Sequence, residues 1–198
     1  MLQIGKAMST DASINFLKQS DQVLGQLILQ IGPCQLDCSQ HNGDLFAELS
    51  RAILHQQLST KAAATIHRRF LQLYSDKPFP EALDILNTPE QVLRNVGVSR
   101  PKISYLKDLA TKVLSGLPTL EELEAMDDES IIKTLTQVKG IGRWTVQMLL
   151  IFRMNRHDVL PVDDLGVRAA IKKVYRLDEL PSRQTVALFY HSRQRIID

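Results

Sequence analysis

Apolar positions recur at helical spacing along almost the whole chain. Over 44–57, "DLFAELSRAILHQQ", Leu45, Phe46, Leu49, Ile53 and Leu54 make one stripe, the signature of an amphipathic helix. Ser59 then stands where an N-cap belongs, ahead of "TKAAATIHRRFLQLY" with Ala63, Ile66, Phe70 and Leu73 on one side. "SDKPFP" breaks the pattern. Thr88 is expected to cap a short helix that has Pro89 at its first position and ends at Gly97. Ser99 opens the next, closed by Gly116, and Pro118–Thr119 starts a short acidic one. Asp127 or Asp128 begins "ESIIKTLTQV". "GRWTVQMLLIFRM" is apolar enough to predict a buried helix, and a loop through His157–Pro161 leads to "DLGVRAAIKKVY". No run alternates as a strand does, and there is no repeat or low-complexity linker. The pattern predicts an all-α protein of eight to ten helices with short connections. The expected division is discontinuous: residues 45–135 as a central helical lobe, and 1–44 plus 136–198 as a second lobe, with a cleft between them as the natural site.

Composition narrows this only a little. The chain has 198 residues, 44% hydrophobic and 23% charged, the values of a globular protein. No apolar run reaches the roughly 18 residues that span a bilayer, and the N-terminus lacks a signal-peptide pattern. A cytoplasmic protein with no membrane association is expected. Cys34 and Cys38 are the only cysteines, too few for an iron–sulfur cluster and read as reduced structural thiols. His55 and His67 have no further ligand at metal spacing, so neither is read as a zinc site. The net charge of +2 does not announce a nucleic-acid binder. Its distribution is uneven: 121–129 holds six acids and no base, whereas 139–176 holds eight bases against three acids. The basic segment is either a phosphate-facing surface or the solvated faces of ordinary helices.

The glycine turn changes the picture. "LTQVKGIGRWTVQML" joins two helices through K-G-I-G. Gly140 and Gly142 allow positive φ and close backbone approach. The following helix presents unpaired N–H groups and its positive dipole end, a ready site for phosphate. A contact of that kind positions a protein on a nucleic-acid backbone without reading bases.

Leu135, Val138, Gly140, Ile141, Gly142 and Thr145 together resemble the helix-hairpin-helix of DNA repair glycosylases, placed at about 128–154. "LPVDDLGVRAAI" resembles the segment that carries that superfamily's catalytic Asp. "RAILHQQLSTKAA" and "NVGVSRPKISYLKDLA" resemble its alkylpurine branch, the 3-methyladenine DNA glycosylase II type. The similarity runs from about Leu45 to Leu177, and "TVALFYHSRQRIID" departs from the aromatic-rich final helix of that branch. The resemblance implies a two-lobed helical glycosylase fold whose second lobe holds the hairpin and the Asp pair. It implies an enzyme that bends double-stranded DNA containing alkylated bases, flips the damaged nucleotide and hydrolyses its N-glycosidic bond, acting as a monomer in base excision repair.

The residue roles follow from the same resemblance. A buried carboxylate beside the sugar stabilises the positive charge that builds on it. Asp164 is the expected catalytic residue, with Asp163 its rival; an Asp before a helix is also an ordinary N-cap. Trp144 stands where lyase-type members carry a lysine nucleophile, which implies a monofunctional enzyme. Trp144, Gln56 and Met148 are expected to line the base pocket, and Gln57 with Leu58 to fill the gap left by the flipped base. Gly140, Gly142, Arg143 and Thr145 are expected to grip a phosphate. No cofactor is expected beyond a monovalent cation held by the carbonyls of Thr136, Val138 and Ile141. Tyr105, Phe152, Tyr175, Phe189 and Tyr190 are further aromatic candidates for the pocket, each fitting a core better. Two other readings of the residues stay open: a DNA-binding module without catalysis, and a helical protein-interaction domain whose glycines serve packing.

Overall fold

The computed structural model describes residues 10–33 and 44–194, with side chains over 14–33 and 44–189. Cys34, Cys38 and the side chain of Tyr190 lie outside them. Every regular element among the described residues is an α-helix: α1 (Thr10–Ser20), α2 (Gln22–Ile31), α3 (Leu45–His55), α4 (Thr60–Gln72), α5 (Ala82–Asn87), α6 (Glu90–Asn95), α7 (Arg100–Leu114), α8 (Leu120–Glu124), α9 (Asp128–Leu135), α10 (Arg143–Phe152), α11 (Leu165–Val174) and α12 (Arg183–Gln194). The expected eight to ten become twelve. Helices of five or six residues, such as α5, α6 and α8, are too short to show a period. None of the described helices is long and apolar enough to cross a membrane.

Side-chain caps set most helix starts. Asp44, Ser59, Thr119 and Asp127 each accept the N–H three residues on, which satisfies one of the donors that a helix start leaves without a partner. Thr119 and Glu122 reciprocate as a capping box. One start differs from expectation: Pro89 itself takes the N-cap position of α6. Thr88 instead ends α5, where its hydroxyl donates to the Asp84 carbonyl at 2.7 Å and meets the Tyr74 hydroxyl at 2.8 Å.

The chain divides into two units. The larger spans the described residues 44–159. Its core is one cluster to which every helix from α3 to α10 contributes, including Leu49, Ile53, Leu54, Phe70, Ile85, Leu93, Leu106, Leu123, Ile131 and Leu150. Burying each such side chain contributes about 1.5–3 kcal/mol. The boundary therefore does not fall at 135. Leu135, Val138, Ile141, Val146 and Leu149 all join this core, so both hairpin helices belong with the central helices rather than with the chain ends. Inside α10 only one face is covered: Val146, Gln147, Leu149 and Leu150 are buried, while Trp144 and Phe152 are 46% and 47% exposed.

The smaller unit combines 10–33 with 160–194. Here α2 lies against α11. The Tyr175 hydroxyl donates to Asp21 at 2.6 Å, and its ring packs tilted against Phe189 with centroids 5.0 Å apart. Arg168 Nε donates to the Pro181 carbonyl at 2.9 Å, which ties α11 to the start of α12.

Candidate active site

A cleft of about 1010 Å³ in the larger unit is lined from three stretches of backbone: the end of α3, the first turns of α7, and the α9–α10 turn with α10. The residues lining it all belong to that unit. Gln56, Gln57, Gly140, Trp144, Thr145 and Met148, each singled out from the sequence, share this cleft, as do Tyr105 and Phe152. Gly142, Arg143 and Leu58 are not among its lining residues.

The end of α3 is an unusual corner. Gln56 leaves the helix with φ −49° and ψ 133°, and its N–H bonds the Ala52 carbonyl. Its side-chain Nε2 donates to the Gly140 carbonyl at 2.7 Å, joining the corner to the glycine turn. Gln57 then takes φ 54°, a left-handed conformation rarely held by residues other than glycine. Lys102 Nζ donates to the carbonyls of Leu54 and Gln56 at 2.7 and 2.8 Å.

The turn itself is tight. The N–H of Val138 bonds the Leu135 carbonyl, and the N–H of Ile141 bonds the Val138 carbonyl at 3.0 Å. Gly140 holds φ 80°, and a Cβ there would collide with the ring of Tyr105. Conformation and space both demand glycine. Gly142 is the N-cap of α10 and has no side chain to bond that helix's first N–H groups. Arg143 is engaged within the hairpin: its guanidinium meets the Glu129 carboxylate through both terminal nitrogens, with Nη1 at 3.0 Å from Oε2. Trp144 follows, half exposed into the cleft and therefore not a core residue.

The wall nearest α3 is basic. Arg51, His55 and Lys102 line it there, against Glu48, which bonds Arg51 at 3.0 Å; Arg153 lines the cleft from the end of α10. His55 is held below its ordinary pKa by burial first and then by the charges of Arg51 and Lys102. Its ring meets that of His67 edge-on at 5.3 Å. His67 is lowered by burial, then by His55 and Arg51, and lines a shallower depression of about 470 Å³ with His55 and Arg68. No group of three His, Cys, Asp or Glu side chains suited to a metal occurs among the described residues.

The Asp pair lies in the smaller unit. Asp164 is the N-cap of α11: its Oδ1 accepts the Val167 N–H at 2.9 Å. Asp163 faces the guanidinium of Arg183. A Cβ on Gly166 would lie 3.0 Å from Asp164 Oδ1, so glycine leaves this carboxylate its room.

Residues 50–191 match the model of the HhH-GPD superfamily of base excision DNA repair proteins. The chain belongs to that superfamily. Over 178 residues it is 40% identical to DNA-3-methyladenine glycosylase 1 of Schizosaccharomyces pombe, covering 89% of this chain and 78% of that protein. The solved structure of a 3-methyladenine DNA glycosylase from the same yeast in complex with abasic DNA superimposes with a TM-score of 0.80 at 38% identity, over 89% of this chain and 86% of that one. A DNA-3-methyladenine glycosidase structure from Bacillus halodurans gives 0.79 at 30% identity, over 98% and 85%.

Two residues of this HhH-GPD chain were not singled out from sequence. Gly166 sits in a helix start with nothing in the pattern to mark it. Lys102 left a faint signal: it is a cation in the first turn of α7, where the helix dipole disfavours positive charge. Its partners lie at the end of another helix.

Proposed function

We propose that the protein is a monofunctional DNA glycosylase that removes alkylated purines of the 3-methyladenine type from duplex DNA. The observation that carries this reading is Trp144. It stands one residue past the hairpin's first helical position, half exposed in a cleft that also holds Gln56 and Met148. Indole offers a flat face to a flipped base and, unlike a lysine amine, cannot form a Schiff base with the sugar. The names of the relatives support the same substrate class.

In this mechanism the start of α10 docks on a DNA phosphate through its backbone N–H groups. The carbonyls of Thr136, Val138 and Ile141 are neutral oxygens without a carboxylate among them, a set that fits a monovalent rather than a divalent cation. Held there, such an ion would add positive charge to the hairpin turn. Gln57 fills the space of the extruded nucleotide, with Leu58 beside it. The flipped base lies against Trp144; a cationic alkylated purine gains from an aromatic face. The bond from C1′ to the base breaks with its electron pair going to the base. An alkylated purine that carried a positive charge leaves neutral. Asp164 supplies the carboxylate that stabilises the cationic sugar and takes a proton from the water that adds to C1′. The positive end of α11 favours negative charge at Asp164, whereas Arg183 offsets the charge of Asp163. The enzyme acts as a monomer.

The test is release of 3-methyladenine from methylated duplex DNA under single-turnover conditions. Release without strand cleavage supports the reading. Salt-sensitive binding without release would instead make the chain a DNA-binding module, and absence of binding at low salt would leave only a protein-interaction role.

A further inference from the structure

We propose that Lys102 is a positioning residue, fixing the end of α3 so that Gln57 stands ready to enter the duplex. The inference rests on the gap-filling role given to Gln57 above. A helix leaves its last carbonyls without partners inside the helix, and chains often resolve this with a left-handed glycine just past the end. Here the left-handed residue is Gln57, with φ 54°, which a side chain makes harder to hold. Contacts from outside α3 can offset that cost.

Lys102 does so from α7. Its ammonium bonds the carbonyl of Leu54, inside the last turn, and that of Gln56, beyond it. The two bonds bracket the point where the backbone leaves the helix. The Gln56 side chain bonds the Gly140 carbonyl, so the residue before Gln57 is tied both to α7 and to the hairpin. The charge suits the place: a cation is disfavoured at the start of α7 but favoured at the C-terminal end of α3. Burial lowers the pKa of Lys102, which fits an ammonium turned from water onto carbonyls. Gln57 and Lys102 both line the cleft. A fixed corner presents Gln57 without the ordering cost a loose one would meet on DNA.

The test is a binding experiment that needs no base release. The duplex carries a tetrahydrofuran abasic analogue opposite 2-aminopurine, whose fluorescence reports insertion into the gap. The wild type is expected to change the signal at saturation and Gln57→Ala to lose the change. Lys102→Met is expected to reduce it at least about threefold while its Kd for the same duplex rises less than about threefold. Lys102→Arg, which keeps a cation able to reach carbonyls, is expected to restore most of the response. Circular dichroism and Tm verify folding; if Lys102→Met does not fold, Lys102→Gln takes its place.

A full response in folded Lys102→Met overturns the proposal. So does an equal loss of affinity for abasic and undamaged duplex with a shallower salt dependence, the mark of a phosphate contact. An unchanged response in Gln57→Ala overturns it together with the gap-filling role. Failure of base release by the wild type touches only the proposed activity, because the fluorescence arm is read independently.

Discussion

The ring of Tyr105 occupies the space that a side chain at position 140 would need. Tyr105 belongs to α7 and Gly140 to the hairpin turn, so a single aromatic ring sets how closely the turn settles onto the central helices. Gly140→Ala adds left-handed strain at φ 80° to this collision. The variant is expected to lose about 1–3 kcal/mol of stability, measured by urea unfolding. Tyr105→Ala removes the collision but not the strain, so the penalty of Gly140→Ala measured in the Tyr105→Ala background is expected to be smaller without vanishing.

The Asp pair separates by chemistry. Asparagine caps a helix about as well as aspartate, so Asp164→Asn should keep its Tm within a few degrees while base release falls by about two orders of magnitude. Asp163→Asn loses only the pairing with Arg183 and is expected to stay within a few-fold of wild-type activity. If the two variants exchange these phenotypes in a single-turnover assay, Asp163 is the catalytic residue.

Gly166→Ala isolates the room around Asp164. Alanine improves a helix by up to about 1 kcal/mol, yet its Cβ crowds Oδ1 at 3.0 Å. Stability is expected to hold or rise while base release drops severalfold. Equal activity in the two proteins would show that the carboxylate tolerates displacement.

Trp144→Ala is expected to slow release of an alkylated base by roughly ten- to a hundredfold, the magnitude for loss of one base–aromatic stack. Incubation of the wild type with damaged duplex and borohydride should trap no covalent adduct. A trapped band on a denaturing gel rules out the monofunctional reading.

The two histidines make the fold sensitive to acid. His55 and His67 both have folded-state pKa values below the ordinary 6.5, so the unfolded chain binds protons that the folded chain resists. Stability is therefore retained above about pH 6.5 and falls as the pH drops below it. Thermal unfolding between pH 7.5 and 5 should show this slope, and His67→Phe should flatten it.

Much of this was legible in the chain. The helical period exposed the long amphipathic elements, and K-G-I-G marked the hairpin because a turn between apolar helices leaves few residues able to hold it. Trp144 could be placed in a pocket only because its neighbours matched a known pattern; its own identity fitted a core as well. The lobe boundary was not legible, since Leu135 and Val146 read as apolar whichever core they join. Nor was Lys102, because its bonds reach Leu54 and Gln56 from 48 and 46 residues away. The corner it holds is a tertiary feature, written in no local motif.

Arg143 and Glu129 give the hairpin a charge balance of its own. The arginine nearest the expected phosphate site already has a carboxylate across it, so Glu129 behaves as a built-in counterion. A phosphate docking at the start of α10 would have to share this guanidinium with the Glu129 carboxylate or displace it. A carboxylate beside a guanidinium offsets part of its positive field. For a DNA repair protein, such a pair would hold the arginine's contact with the backbone in reserve until a phosphate displaced the carboxylate.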